Sequence, residues 1–365
     1  MSLALALPLS ASAQAAGVKV DVDSRAASAV LDALQNPSLT HEQSLRIAAL
    51  PGNQGIIRKN REFKIDATTQ NFADALYNGA HALPPANDQQ ESYFFDKVKP
   101  RARQIQALLH AIVADPTAFQ QQIQKRIAAY SPADAHATLT GYIIAGGDGT
   151  GYAFGGQDFY LNLGNIEEFV YAQYVTEHEL YHAVQGTYAG KRGVPSDLPS
   201  LEGMEAAEQA CVKTRQLLAN LYEEGSATYV GDISLLEQSH SEAGRRQFGD
   251  ITEGVHHIGT SASLLEMSVS ALNAPHPMPL DDVYAVGFYG HGLLYDIGYV
   301  MARDIVAQDG PEGLTKLLET SPGAFITTYT ELPKYGQDKD HPALGAQTIL
   351  AAKQISKGCG DIDRQ

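Results

Sequence analysis

Two histidines and a glutamate lie close together in the segment His178-Glu-Leu-Tyr-His182. Two histidines four residues apart on a helix leave the same face one turn apart, so both imidazoles can bind one metal ion. A catalytic zinc site has three protein ligands and keeps a fourth position for water, whose pKa the metal lowers to about 7. The segment therefore predicts a zinc site with His178 and His182 as ligands and Glu179 as the group that takes the proton of the water.

The residues around this segment predict a buried helix rather than a surface helix with scattered polar groups. An acidic stretch precedes it, as is typical of a helix start. Apolar side chains then recur along one surface. The acidic stretch and the apolar positions are Asn165, Glu167 and Glu168, followed by Phe169, Val170, Tyr174, Val175, Tyr181 and Val184. Metal-binding groups inside an apolar helix favour a functional site over a chance pattern.

A glycine-rich stretch before the helix predicts a small sheet. Residues 137–145 and 158–163 have the composition of strands, and residues 146–156 between them contain six glycines. A dinucleotide-binding loop would need a helix after the glycines, whereas here a second strand follows. We therefore predict a mainly antiparallel hairpin, whose edge could pair with an extended peptide.

Several carboxylates downstream of the histidines are candidates for the third ligand. They are Glu202, Glu205, Glu208, Glu223 and Glu224. Spacing alone leaves both Glu202 and Glu224 open. The further-histidine pattern of the metzincin peptidases is absent, because Gln185 and Tyr188 occupy the positions where that class has a glycine and a histidine.

The segment Leu221-Tyr-Glu-Glu-Gly-Ser-Ala-Thr-Tyr229 favours one of them. Together with the two-histidine segment it resembles the gluzincin metallopeptidases, and within them the bacterial zinc-dependent peptidases of the peptidase-MA-like group. The resemblance covers roughly Leu139 to Leu318. It implies that Glu224, which precedes the glycine, is the third ligand of a single zinc ion, ahead of Glu202 and Glu223.

Hydrolysis also needs a hydrogen-bond donor for the developing oxyanion. The stretch from Tyr295 onwards resembles the gluzincin helix that carries the active-site tyrosine, which implies this role for Tyr295. His291 lies four residues earlier, on the same helix face, and is an alternative donor. Tyr289 is a third candidate, and all three could instead be packing residues.

The sequence predicts four segments along the chain. Residues 1–17 are apolar and carry Ala11-Ser-Ala13, which has the form of a signal-peptidase site, although a basic start is missing. Residues 18–135 predict a helical N-terminal region, residues 136–330 the catalytic region and residues 331–365 a helical tail. We therefore expect an exported protein, periplasmic or secreted, with no further run long enough to insert into a membrane.

The net charge limits the classes of binding partner, and the spacing of the two cysteines limits the kind of site they can form. The net charge of −16 argues against nucleic acid, whose phosphates demand a basic surface. Cys211 and Cys359 fit neither a redox motif nor a zinc knuckle, and they are either a disulfide or two buried thiols. A peptide or protein is the expected substrate, and the oligomeric state is open.

These observations predict a predominantly helical α+β, gluzincin-like fold and a zinc-dependent peptidase. Glu179 would act as general base, with Tyr295 or His291 at the oxyanion. Two other functions remain open. One is an inactive zinc-binding or chaperone-like relative, and the other is a zinc amidohydrolase that acts on a non-peptide amide.

Overall fold

The computed structural model describes residues 17–115, 117–194 and 199–359. The chain is predominantly helical, with 64% helix and a small four-stranded mixed sheet. This confirms the prediction of a mainly helical chain with a small sheet. Residues 1–16 of the predicted export signal lie outside the described residues.

Four short strands form the sheet in the order β1-β2-β4-β3. The strands are β1 (Lys19–Asp23), β2 (Thr138–Ile144), β3 (Gly151–Ala153) and β4 (Asp158–Asn162). β2 pairs in parallel with both β1 and β4, whereas β3 pairs antiparallel with β4. The prediction of a mainly antiparallel sheet is therefore wrong.

The predicted hairpin between residues 137–145 and 158–163 fails because the glycine-rich segment between them is not a tight turn. The segment leaves the end of β2, returns as the edge strand β3 and only then turns into β4. The buried side chain of Asn162 fixes this path. Its Oδ1 accepts a hydrogen bond from the backbone N–H of Gly146 at 3.1 Å, and its Nδ2 donates to the carbonyls of Gly147 and Gly149, each at 3.0 Å.

The strand β1 was not predicted, because the sequence suggested helices from the start of the N-terminal region. Its partner β2 lies far along the chain, with Lys19 opposite Thr138. Local sequence patterns cannot reveal a pairing at that separation. The predicted N-terminal region (18–135) and the predicted catalytic region (136–330) therefore share one sheet.

Helices fill the chain between β1 and β2, as predicted for this region. They are α1 (Arg25–Leu34), α2 (His41–Ala48), α3 (Pro51–Glu62), α4 (Thr69–Ala80), α5 (Asp88–Glu91), α6 (Phe95–Ala114) and α7 (Gln120–Ala129). Capping supports some of these starts: the Thr40 side chain and Gln43 form a reciprocal capping box at α2.

Two long helices form the centre of the fold. After β4 and a short 3-10 turn (Leu163–Asn165), α8 (Phe169–Arg192) runs beneath the sheet and α9 (Ala206–Val230) packs against it. α8 begins after Glu168, as the acidic start predicted, and ends at Gly193, whose φ of +67° is a left-handed terminator. The predicted apolar positions Tyr174, Tyr181 and Val184 are buried.

Shorter helices complete the fold. They are α10 (Ile233–Glu237), α11 (Glu242–His256), α12 (Ile258–Leu272), α13 (Leu280–Phe288), α14 (Leu293–Asp309), α15 (Pro311–Leu317), α16 (Gly323–Thr330) and α17 (Ala346–Ile355). In the described part of the chain, no helix combines the length and the apolar character that a membrane crossing requires.

A close helix crossing and a disulfide bond connect the C-terminal part of the chain to α9. A Cβ at Gly225 of α9 would lie 2.3 Å from backbone atoms of Gly298 of α14, so the helices can cross this closely only because both residues are glycines. Cys211 of α9 forms a disulfide with Cys359, with a Cα–Cα distance of 5.6 Å. Of the two alternatives for the cysteines, the structure therefore has the disulfide.

Candidate metal centre

The helices α8 and α9 bring three predicted ligands together. His178 and His182 leave the same face of α8, and their Nε2 atoms lie 3.1 Å apart. Glu224 of α9 faces them, with its Oε2 atom 3.6 Å from Nε2 of His178 and 3.3 Å from Nε2 of His182. Among the described residues, this is the group of His, Cys, Asp and Glu side chains whose ligand atoms converge closely enough to hold a metal ion.

The spacing of these three atoms fits a zinc ion. Donors at about 2.1 Å from a tetrahedral zinc lie about 3.4 Å from one another. The three observed separations are 3.1, 3.3 and 3.6 Å. Two imidazole nitrogens and one carboxylate oxygen are also a donor set of catalytic zinc, which leaves the fourth position for water or substrate.

Without a metal, the same three groups hold a proton between them. Burial disfavours the imidazolium form of His182, but the Glu224 carboxylate outweighs this and raises the pKa of His182 to about 10. Burial likewise opposes the charge on Glu224, yet His182 and His178 hold its pKa far below the usual range. A metal ion must therefore displace a proton from His182 when it binds.

Gln185, one turn after His182, fixes the orientation of that ligand. Its Oε1 atom lies 2.7 Å from Nδ1 of His182, and its Nε2 donates to the carbonyl of Glu223 and to Oγ of Ser226, each at 2.9 Å. Because both amide protons are used on acceptors, Oε1 must face the imidazole and accept its Nδ1 proton. Once the metal has displaced the other proton of His182, Nε2 is the unprotonated nitrogen that can bind it.

The neighbouring carboxylates either pair with another side chain or lie away from the metal cluster. Glu223 accepts a hydrogen bond at 2.5 Å from Arg192, whose side chain is only 1% exposed. Adjacent helical residues point about 100° apart, so Glu223 and Glu224 cannot both face the histidines. Glu202 is exposed and does not belong to the cluster. The geometry thus favours Glu224 among the sequence candidates.

Glu179 lies between the ligand histidines and the edge of the sheet. A Cβ at Gly151 of β3 would come within 2.8 Å of Cγ of Glu179, so the glycine lets the strand pack directly on this side chain. Burial raises the pKa of Glu179, and the two histidines oppose that rise. A carboxylate with a raised pKa beside a metal-binding cluster is suited to accept a proton and to return it.

Tyr295 lies on α14 and faces the same cluster. The close crossing at Gly225 and Gly298 brings this part of α14 next to Glu224. Burial raises the pKa of Tyr295 well above its ordinary value, and the adjacent Glu224 carboxylate adds to the rise. The hydroxyl therefore stays protonated and can donate a hydrogen bond.

The other two oxyanion candidates differ from Tyr295 in position. His291 precedes the first residue of α14, so the prediction that it shares a helix face with Tyr295 is wrong. It is exposed, and it lines one of the cavities that reach the cluster. Tyr289 is 66% exposed and lines neither of the cavities described below. Tyr284 of α13, which the sequence reasoning missed, is near enough for the Glu224 carboxylate to add to the rise that burial gives its pKa. The four-residue spacing between Tyr284 and Phe288 is typical of ordinary core packing and carries no signal of a site.

Two cavities meet at the metal cluster, and both are lined by His178, Glu179 and Tyr295. The first, of about 620 Å³, runs along β3 and is termed the sheet chamber. Arg58 and Lys59 of α3 contribute to its wall. The second, of about 280 Å³, lies against α11 and α14 and is termed the α11 chamber. A substrate bound at the cluster can therefore extend in both directions.

Comparison with known families finds a match over most of the chain. The model of a family described as "Putative zinc dependent peptidase (DUF5700)" matches residues 45–337. The match reaches further towards the N-terminus than the gluzincin resemblance, and it includes helices of the predicted N-terminal region (18–135). No curated protein and no solved structure matches the chain.

Proposed function

The chain belongs to this family of zinc-dependent peptidases, and on that premise we propose that it hydrolyses peptide bonds at the His178, His182 and Glu224 cluster. The observation that carries the proposal is the arrangement of three donor atoms at zinc-ligand spacing with Glu179 beside them. The same ligand set and the resemblance around Glu224 support a gluzincin-like subclass with one zinc ion.

Each side chain has a defined part in the proposed reaction. A bound zinc ion would polarise the scissile carbonyl and lower the pKa of the attacking water to about 7. Glu179 accepts the proton of that water and delivers it to the leaving amine. Tyr295 donates a hydrogen bond to the oxyanion as the carbonyl becomes tetrahedral, with His291 as the alternative donor.

The position of β3 supports a peptide as the substrate. β3 is an edge strand and lines the sheet chamber next to Glu179, so an extended peptide can pair with it by adding a strand. Cavities on both sides of the cluster favour an endopeptidase over an enzyme that removes single terminal residues. A non-peptide amide would need neither the edge strand nor the second cavity.

An inactive zinc-binding relative is the main competing function. A structural zinc site is closed by four protein ligands, whereas this cluster offers three among the described residues. The three-residue ligand set and the adjoining cavities therefore favour catalysis.

We also propose that the protein works outside the cytoplasm. The disulfide between Cys211 and Cys359 supports this, because such bonds persist in oxidising compartments. The apolar segment 1–17, with its Ala11-Ser-Ala13 site, supports export as well.

Cleavage of a peptide library tests the proposed function. We expect the purified protein to cleave a subset of peptides, to lose this activity with a zinc chelator and to regain it when zinc is restored. Mass spectrometry of the products identifies the cleaved bonds and separates internal from terminal cleavage. Zinc binding with no cleavage of any peptide would favour the inactive relative instead.

A further inference from the structure

The α11 chamber has an acidic character. Asp250 of α11 and Asp296 of α14 both line it, and no lysine or arginine is among its described lining residues. Ile251, Val175 and Phe288 add apolar surface to the wall. The sheet chamber differs in that Arg58 and Lys59 line it alongside its glutamates.

Asp296 is a buried carboxylate of this chamber that lacks a hydrogen-bond partner for one of its oxygens. It is 5% exposed, and its Oδ2 atom is buried with no hydrogen-bond partner among the described residues. A Cβ at Gly254 of α11 would lie 2.1 Å from that oxygen, so the α11 backbone packs directly on the carboxylate. Buried carboxylates are normally paired or hydrogen-bonded. Since α11 covers Oδ2, a ligand in the chamber can pair with Asp296 only through Oδ1.

The electrostatic environment of Asp296 also indicates that the carboxylate lacks a cationic partner. Burial raises the pKa of Asp296 to about 7, and the nearby Asp250 carboxylate adds to the rise. A buried carboxylate whose charge is disfavoured in this way is stabilised when a cation binds beside it.

We propose that the α11 chamber binds a cationic group of the substrate, with Asp296 as its buried partner and Asp250 at the entrance. The ligand is an alkylammonium or guanidinium group, supplied by a lysine or arginine side chain or by a free N-terminus. This inference rests on the proposed peptidase function, and it names a preference for positive charge in the substrate.

The position of Asp296 determines which part of the substrate carries the bound positive charge. It directly follows Tyr295, and the chamber that it lines is also lined by His178 and Glu179. A cation bound there must therefore belong to a residue close to the scissile bond. The apolar wall suits the aliphatic part of a lysine or arginine side chain.

Matched peptides test the proposal. A series of quenched fluorescent peptides, derived from a cleaved library member, would carry lysine, arginine, norleucine or citrulline at each position flanking the scissile bond. Each peptide is made with a free and with an acetylated N-terminus. We expect kcat/KM for the zinc-loaded wild-type enzyme to be at least about tenfold higher with the cation than with its neutral analogue at one position, as charge-assisted pairing predicts.

The free and acetylated forms identify the source of the cation. A preference for lysine over norleucine within acetylated peptides assigns the chamber to a side chain. A preference that disappears on acetylation assigns it to the N-terminal ammonium. Equal rates for cationic and neutral peptides, whether acetylated or free, would overturn the inference while leaving the peptidase function intact. No cleavage of any peptide would overturn both.

Substitutions in the α11 chamber test whether the preference for the cation depends on its two aspartates. Asp296→Asn should bring the cation-to-neutral ratio of kcat/KM towards one, and Asp250→Asn should lower it less. The matched control is Asp309→Asn, an exposed aspartate on the same helix, which should leave the ratio unchanged. Zinc content and the unfolding midpoint report whether each variant is folded. An unchanged ratio in folded Asp296→Asn would assign the preference to another site and overturn the proposal.

Discussion

The metal cradle and the cleft wall are built in contrasting ways. The cradle, which we define as His178, His182, Glu224 and Gln185, stands on two long central helices, and its donor atoms lie within hydrogen-bond or ion-pair distance of one another. The cleft wall, defined as the segment from Tyr284 to Asp296, spans the end of α13, a turn and the start of α14. Its members range from the exposed Tyr289 to the buried Asp296.

Because of this difference, we expect the cradle to determine metal binding and the wall to determine the reaction rate and the substrate preference. A fixed cradle suits a metal ion, which tolerates only a narrow range of ligand distances. A wall that includes a turn can change its side chains without disturbing the helices beneath it. We therefore expect changes in the cradle to remove the metal, and changes in the wall to alter the rate or the preference while the metal stays bound.

Removal of the third ligand should give the largest effect in the cradle. Glu224→Ala leaves two histidines that cannot complete the three-ligand set. We expect zinc content, measured by atomic absorption, to fall from about one ion per chain to near zero, with loss of peptide cleavage. Glu202→Ala is the matched control, since that carboxylate is exposed and outside the cluster. Loss of zinc in the control instead would move the third ligand to Glu202.

Removal of the tyrosine hydroxyl is the corresponding test in the wall. Tyr295→Phe should lower kcat by about 100-fold to 1000-fold, as expected when an oxyanion donor is lost, with zinc content unchanged. Tyr289→Phe should have no effect, because Tyr289 is exposed and lines neither chamber. If Tyr295→Phe retains full activity and His291→Ala does not, the oxyanion donor is His291.

The orientation of His182 gives a smaller effect in the cradle. Gln185→Ala removes the acceptor of the Nδ1 proton and should weaken zinc binding by about 10-fold to 100-fold. Competition with a fluorescent chelator measures this affinity. Gln173→Ala on the same helix is the control, because Gln173 bonds to Glu177 and not to a ligand. Equal affinities for the two variants would remove Gln185 from the cradle.

Zinc affinity should also depend on pH. The Glu224 carboxylate outweighs the effect of burial and raises the pKa of metal-free His182 to about 10. Below that pH the imidazole is protonated and must lose its proton to bind zinc. The apparent affinity should therefore rise about tenfold per unit between about pH 6 and 8, with one proton released per ion. Calorimetry in buffers of different ionisation enthalpy measures that proton, and a flat affinity would contradict the coupling.

The cradle was largely predictable from the sequence, because its metal-binding residues lie in short segments with recognisable spacing. The spacing of His178 and His182 on one helix face fixes where their imidazoles point, and the Gly after Glu224 identified the resemblance. Gln185 was visible only as a departure from another peptidase class. Its role depends on Ser226 and Glu223, which come from the next helix.

The sheet and the wall were harder to predict, because they depend on contacts between distant segments. The parallel pairing of β1 with β2 joins residues that are far apart in the chain. The burial of Asp296 depends on Gly254 of α11, and its position after Tyr295 carries no local signal of an unpaired carboxylate. Tyr284 likewise approaches Glu224 only through the packing of α13 onto the site.

The proton acceptor is the most direct test of the account. Glu179→Gln keeps the size of the side chain and the three proposed ligands, but it cannot accept a proton from water. Zinc content and peptide cleavage should be measured on the same preparation. We predict about one zinc ion per chain and a loss of cleavage by a factor of about 1000 or more. A zinc-loaded Glu179→Gln protein that cleaves peptides at the wild-type rate would contradict the mechanism.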